Sequence, residues 1–235
     1  MQFVFQICAI LVGLPLQLMV IAAMLRGAYR RYPFVFLYMI VDFLTSALEV
    51  RPSLAFSHAT LEEQRMFARL YWVDERILQA LVFLMVISLV YHATAQFRPR
   101  RALLAGIVVG TAVFAAVTFW IHYDSALSPA KWMNPWTRDL NFCAAILDLG
   151  LWAVLLGAER KDLALLLVSG GLGLQFTGGA IGQSIRAMSG PVSVAADYFI
   201  PLVNICSLYI FWQAFRAAPA RAKHQAESIQ HPTPK

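Results

Sequence analysis

Charge is scarce in this sequence. Only 14% of its 235 residues are Asp, Glu, Lys or Arg, against about 25% in an ordinary soluble domain. With 60% hydrophobic residues and a mean hydropathy of +0.63, the chain belongs in a bilayer rather than in water. Cysteine is also scarce. Cys8, Cys143 and Cys206 each sit inside an apolar run, without metal-ligand spacing, so neither a disulfide framework nor a structural metal is expected. Period-2 alternation is missing, which excludes a membrane β-barrel. The sequence has no HExxH, no Gly-rich nucleotide loop and no nucleophile elbow. The last apolar run lacks lysine, which excludes a retinal Schiff base there. His92 and His122 fall at opposite membrane ends and cannot be paired axial ligands of one haem. We therefore expect no cofactor and no enzymatic activity.

What the chain has is long apolar runs. A stretch of about 17 to 25 apolar residues crosses the hydrocarbon core as a helix. Seven such spans are expected, at about 3–25, 34–50, 71–95, 103–121, 141–157, 163–185 and 198–216. The start, "MQFVFQICAILVGLPLQLMVIAAML", lacks a basic n-region and is too long for a signal-peptide core, so it reads as the first span. The fold class is thus all-α, one polytopic transmembrane bundle over 1–216. The polar, proline-containing tail 217–235 is expected to be disordered.

Basic residues give the direction. Arg26, Arg30, Arg31, Arg98, Arg100, Arg101, Arg160, Lys161 and the tail cations fall on one side, and they make up most of the chain's 19 Lys and Arg residues. The richer side is expected to be cytoplasmic, with the N-terminus out and the C-terminus in. An inner-membrane, multi-pass location follows. The basic residues fall in short clusters between spans, a topology signal, so no nucleic acid is expected as a partner. Tyr71, Trp72, Trp120, Tyr123 and Tyr198 form an outer aromatic belt, and Tyr29, Tyr32 and Trp212 an inner one. Thr60 followed by Glu63 is a capping-box signal for a helix beginning at Leu61, which either runs into the third span or lies on the surface. The outer loop 122–140, with two prolines and two tryptophans, is expected to form a partial lid.

Four polar residues lie deep in spans. Asp42 and Asp148 are each about 10–12 Å from the nearer span end, at 1.5 Å per residue. Gln175 and Asn204 lie at similar depth. If their helices converge, they form an intramembrane pocket of two carboxyls and two amides, suited to a proton-coupled or cation-binding site. The plainer alternative is interhelical hydrogen bonding. A second candidate site is an outer vestibule of Glu75, Arg76 and Gln79. Asp74, Glu75 and Arg76 are adjacent, so they point different ways around a helix and cannot share one partner. Trp72 and Arg76 are four apart, which permits a cation–π contact. An ion-pair network at the outer ends, with Glu49, Asp139, Asp197, Arg51, Arg138 and Arg186, is the simpler reading.

The sixth span, "LVSGGLGLQFTGGAIGQSIR", is rich in glycine. Gly178 and Gly182 make a GxxxG, as do Gly106 and Gly110 in the fourth, and such faces let helix backbones approach closely. They are candidate docking faces for a membrane-protein partner or a second copy. A hinge or broken helix is the sharper alternative.

The segments "YRRYPFVFLY" entering span two, "YW" opening span three and the tyrosine before its basic exit, within residues 25–101, carry a likeness. They resemble a group of uncharacterised bacterial seven-helix integral membrane proteins. The resemblance implies the architecture and no mechanism. Members of that group often carry an acidic residue before the tyrosine that closes span three. Here "SLVYH" has Leu89 and Val90, so that acid is absent. The functional expectation is a small-molecule-binding sensor or receptor-like module. A proton- or ion-coupled transporter using Asp42 and Asp148, and a structural subunit of a membrane complex, are the alternatives.

Overall fold

The computed structural model describes residues 2–55, 61–93, 100–124, 129–157, 162–188 and 191–216. All regular structure among them is helical. In chain order the elements are α1 (Gln2–Leu25), α2 (Ala28–Arg31), α3 (Pro33–Ala55), α4 (Leu61–Ala93), α5 (Arg100–His122), α6 (Pro129–Gly157), α7 (Leu163–Arg186) and α8 (Pro191–Arg216). The tail 217–235 and the capping residue Thr60 lie outside the described residues.

Among the described residues, six helices are long and apolar enough to cross a membrane: α1, α4, α5, α6, α7 and α8. The expected second span falls on α3, whose described side chains form an apolar stretch over Pro33–Leu48. Many large apolar side chains face outward, among them Leu11, Leu48, Val109, Trp120, Ile146 and Leu149. Water would penalise so much exposed apolar surface, whereas lipid tails accept it. The chain is accordingly a multi-pass membrane protein.

The bundle core runs through Met24, Met39, Met85, Leu89, Leu172, Leu208, Phe211 and Phe215, all fully or almost fully buried. α7 is central. It packs on α8 along one side and on α6 along another, while α1 lies on α8, and α3 sits between α1 and α4. α5 is peripheral, touching α4 and α6, with only 6% of its apolar stretch buried against 44% in α7.

α4 starts at the expected Leu61 and runs into the third span, whereas α6 starts earlier than expected. α4 is 33 residues long, about 50 Å at 1.5 Å per residue, which exceeds a hydrocarbon core of about 30 Å. It runs without interruption from Leu61 to Ala93. α6 begins at Pro129, so residues 129–140, expected in a lid loop, are helical. Proline at a first helical position has its backbone angle preset and its missing N–H costs nothing there. Pro135 falls inside the helix. Burial of Met133, Thr137, Leu140, Ala144, Asp148, Leu151 and Leu155 along one helical stripe holds the segment against the bundle. Trp132 and Trp136 pack edge-on against Phe119 of α5.

Glycines explain the closeness of α7 and α8. A Cβ on Gly171 would stand 2.8 Å from the Phe211 ring. One on Gly178 would overlap Val203, and one on Gly182 would overlap Ile200. Residues 171, 175, 178 and 182 share one face of a 3.6-residue helix, and α8 fills it. The GxxxG of the sixth span is thus used within the chain, and α7 is continuous through it. Gly106 and Gly110 on α5 have nothing within 4 Å of an added Cβ.

Candidate functional site

Asp148 lies on the buried stripe of α6 and is 2% exposed. Ser169 of α7 donates its hydroxyl to Asp148 Oδ1 at 2.8 Å. The other oxygen, Oδ2, lies against Gly173, where an added Cβ would be only 2.7 Å away. Ser169 and Gly173 are one helical turn apart, so α7 presents a hydroxyl and a gap on the same face. Glycine at 173 is what gives the carboxyl its room. A cleft of about 300 Å³ opens here between α6 and α7, lined also by Phe142, Ile146, Leu149, Trp152, Gly170 and Thr177. Ile146 and Leu149 are each 69% exposed. The cleft therefore opens sideways, toward the face that lipid covers.

Asp42 belongs to a different interface. Gln17 of α1 donates from Nε2 to Asp42 Oδ2 at 2.6 Å, and its contact with Ser46 Oγ is 3.5 Å. Gln17 is itself buried, and its Oε1 has no partner among the described residues. One turn along α3, Thr45 donates to the Asp42 carbonyl at 3.0 Å. Gln175 marks a third interface. Its Nε2 donates to Tyr38 Oη of α3 at 2.6 Å, and its Oε1 is 3.5 Å from Ser207 Oγ of α8. Ser207 also donates to the Gly171 carbonyl at 2.8 Å. Asn204 is half-buried on α8 and hydrogen-bonds none of these groups. Asp42, Asp148 and Gln175 are thus distributed over α1–α3, α6–α7 and α3–α7–α8 contacts, and Asn204 joins none of them.

The vestibule residues also separate. Arg76 reaches α6, with Nη2 3.7 Å from Met133 Sδ. The Glu75 and Trp72 side chains lie outside the described residues. Gln79 is buried, and its Nε2 has no partner among the described residues. Of the outer ion pairs, Arg138 meets Asp139 at 3.2 Å, with His122 Nε2 2.8 Å from the same carboxyl. Arg186 meets Asp197 at 3.0 Å. These local pairs tie α5 to α6 and α7 to α8. Glu49 and Arg51 lie outside the described side chains.

A cluster at the opposite ends of the helices was not singled out by sequence. Asp162 caps α7, accepting from the backbone N–H groups of Ala164 and Leu165 through Oδ1. Its Oδ2 accepts from Arg31 at 2.6 Å and from the Tyr32 hydroxyl at 3.3 Å. Burial, and then the Asp162 charge, push the Tyr32 hydroxyl above its ordinary pKa. The Tyr32 ring lies against His92 of α4 and Phe215 of α8.

Gln17, Ser169, Tyr38 and Ser207 were also missed. Gln17 had a usable signal, as a lone amide deep in an apolar run. Ser169 and Gly173 had a weaker one, their spacing of four. Tyr38 and Ser207 are ordinary residues for a span and had none. Among the described residues, no three His, Cys, Asp or Glu side chains gather as metal ligands would. Comparison of the chain with protein-family models, with curated proteins and with solved structures finds no match.

Proposed function

We propose that this protein is a membrane-embedded binding module, sensor- or receptor-like, that takes a small amphiphile from the bilayer into the α6–α7 cleft. One observation carries the reading. A carboxyl removed from water stands at the base of a cleft that opens toward lipid. An ionisable group in such a place is costly and marks function more often than packing. Apolar walls with one convergent polar group are also the ordinary form of a small-molecule site.

In this reading the chain crosses the inner membrane seven times, with α3 as the second crossing, the N-terminus out and the C-terminus in. The distribution of basic residues supports that orientation. Its basic inner loops pass the bound state to a partner. The likeness of residues 25–101 to bacterial seven-helix proteins agrees with this architecture.

An ion-coupled carrier is the second reading. It is favoured by Asp42, a second intramembrane carboxyl held by Gln17 in a separate interface. A structural subunit would have to dock elsewhere than on Gly178 and Gly182, because α8 occupies that face.

Native mass spectrometry of protein released gently from its membrane tests the binding reading. The expected result is a retained molecule of defined mass, absent from Gly173→Leu, which fills the cleft at Asp148. An adduct equally abundant in Gly173→Leu would show that the cleft is not its site. Flux across vesicles driven by a proton or cation gradient, and lost in Asp42→Asn, would establish the carrier instead.

A further inference from the structure

We infer that the α6–α7 cleft selects lipophilic organic cations, taking an amine or ammonium head onto Asp148 with its apolar tail in the bilayer. This rests on the binding reading and adds the chemical class of the ligand.

The charge balance around Asp148 is the first ground. The acidic side chains nearer the helix ends have a cation at hand: Arg31 beside Asp162, Arg138 beside Asp139, Arg186 beside Asp197, while the deep Asp42 has the Gln17 amide donor and lines neither the α6–α7 cleft nor the groove between α1 and α8. Asp148 is more buried than the three carboxyls with a cation, yet its only hydrogen-bond partner among the described residues is the neutral Ser169 hydroxyl. No Lys, Arg or His pairs with it among the described residues. Burial without a counter-charge disfavours the ionised carboxyl, and a cation beside it restores that form. A cationic head in the cleft that Asp148 and Gly173 line supplies the missing charge.

The walls are the second ground. Trp152 lines the cleft, and its Nε1 is committed to the Leu166 carbonyl at 3.3 Å. It therefore offers the ligand a ring and no donor, which suits a cation and not an anion. Phe142, Ile146 and Leu149 form an apolar track from the carboxyl to the lipid-facing surface. An anionic amphiphile would meet the Asp148 charge with only the Thr177 hydroxyl as a donor along the lining. The other large groove, about 630 Å³ between α1 and α8, is lined by apolar residues with Cys206 and Tyr209 and carries no charged group. It has no basis for preferring a cation, and so serves as an internal contrast.

The test uses the full chain in nanodiscs of zwitterionic lipid, with three probes of one tail length: dodecylamine, dodecanol and dodecanoate. Binding is measured by equilibrium dialysis against empty nanodiscs. Dodecylamine is expected at one equivalent, about tenfold or more tighter than dodecanol, as a desolvated charge pair allows. Dodecanoate should not exceed empty nanodiscs. In Asp148→Asn the amine-to-alcohol ratio should fall to about one, while Gly173→Leu should abolish binding of both. Equal affinity for amine and alcohol in the native chain overturns the cation class, as does a preference that survives Asp148→Asn. The wild-type ratio decides by itself if Asp148→Asn does not fold. If dodecanol is held and Gly173→Leu releases it, the binding reading stands without the cation class. If no probe is held above empty nanodiscs, or Gly173→Leu changes nothing, both fall.

Discussion

Gln17 and Asp42, 25 positions apart in the chain, meet across the α1–α3 contact with Nε2 2.6 Å from Oδ2. Neither partner is replaceable by lipid, which offers no hydrogen bond. Asp42→Asn keeps an acceptor for the amide and should be mild. Asp42→Leu leaves the Gln17 amide unpaired and should destabilise the bundle by about 1–3 kcal/mol. Gln17→Leu in the same background should recover part of that loss, because the stranded group is gone. Thermal unfolding of the three variants in detergent checks this. Equal melting of Asp42→Leu and the parent would mean that the pair is not formed.

The glycines of α7 and α5 should respond oppositely to a methyl group. Gly178→Ala drives a Cβ into Val203 and Gly182→Ala drives one into Ile200. Each should destabilise by about 1–3 kcal/mol, the usual range for overpacking. Gly110→Ala meets open space and should be neutral or stabilise by about 0.5–1 kcal/mol, since alanine is the better helix former. Melting curves that rank these variants in any other order would argue against the described α7–α8 contact.

Asp162 and Arg31 form the shortest ion pair described, at 2.6 Å, but their losses should be unequal. The Arg31 side chain is 63% exposed, and exposed pairs contribute about 0–1 kcal/mol. Asp162 also caps α7, a role typically worth about 1 kcal/mol, and it accepts from Tyr32. Asp162→Ala should therefore melt below Arg31→Ala. Asp162→Asn should fall between them, retaining the cap and losing the charge. The opposite order would mean that the ion pair outweighs the cap.

Tyr32 carries a pH signature. Its hydroxyl is raised above the ordinary value of 10.0 by burial and by Asp162, so the folded state binds its proton more tightly than the unfolded chain. The resulting stability is fully present below about pH 10 and is lost as pH rises above that value. Tyr32→Phe should show a shallower fall in melting temperature above about pH 10 than the native protein. Parallel alkaline profiles would remove Tyr32 as the source.

Ligand binding at the cleft should also appear as stabilisation. A cationic amphiphile at about 100 times its Kd should add about 2.7 kcal/mol to the folded state. The gain should vanish in Gly173→Leu and persist in Gly110→Ala. Stabilisation of all three proteins alike would mark a general effect of the amphiphile on the bilayer.

The helices themselves were legible because the signal for them is local. A run such as 163–185 or 198–216 is apolar over the length of a crossing wherever its neighbours lie. The misplaced start of α6 has the same origin in reverse. Pro129 and Pro135 in a polar, tryptophan-bearing segment look like a loop until Met133, Thr137 and Leu140 are seen to continue the stripe of Leu151 and Leu155.

The candidate site was legible only in part. Depth of burial in a span singled out Asp42, Asp148 and Gln175, because a polar residue in an apolar run is visible from sequence. It could not say which helix faces which. In water, a helix turns its apolar side inward and thereby reveals its rotation. In lipid, both sides of the helix are apolar, so the sequence determined the length and polarity of the segments and left their rotation open. Packing decided the rest. The glycine face of α7 closed on α8, and this turned Ser169 and Gly173 toward α6. Asp148 thus came to a cleft with Ser169 as its partner, while Asp42 and Gln175 were drawn into other interfaces.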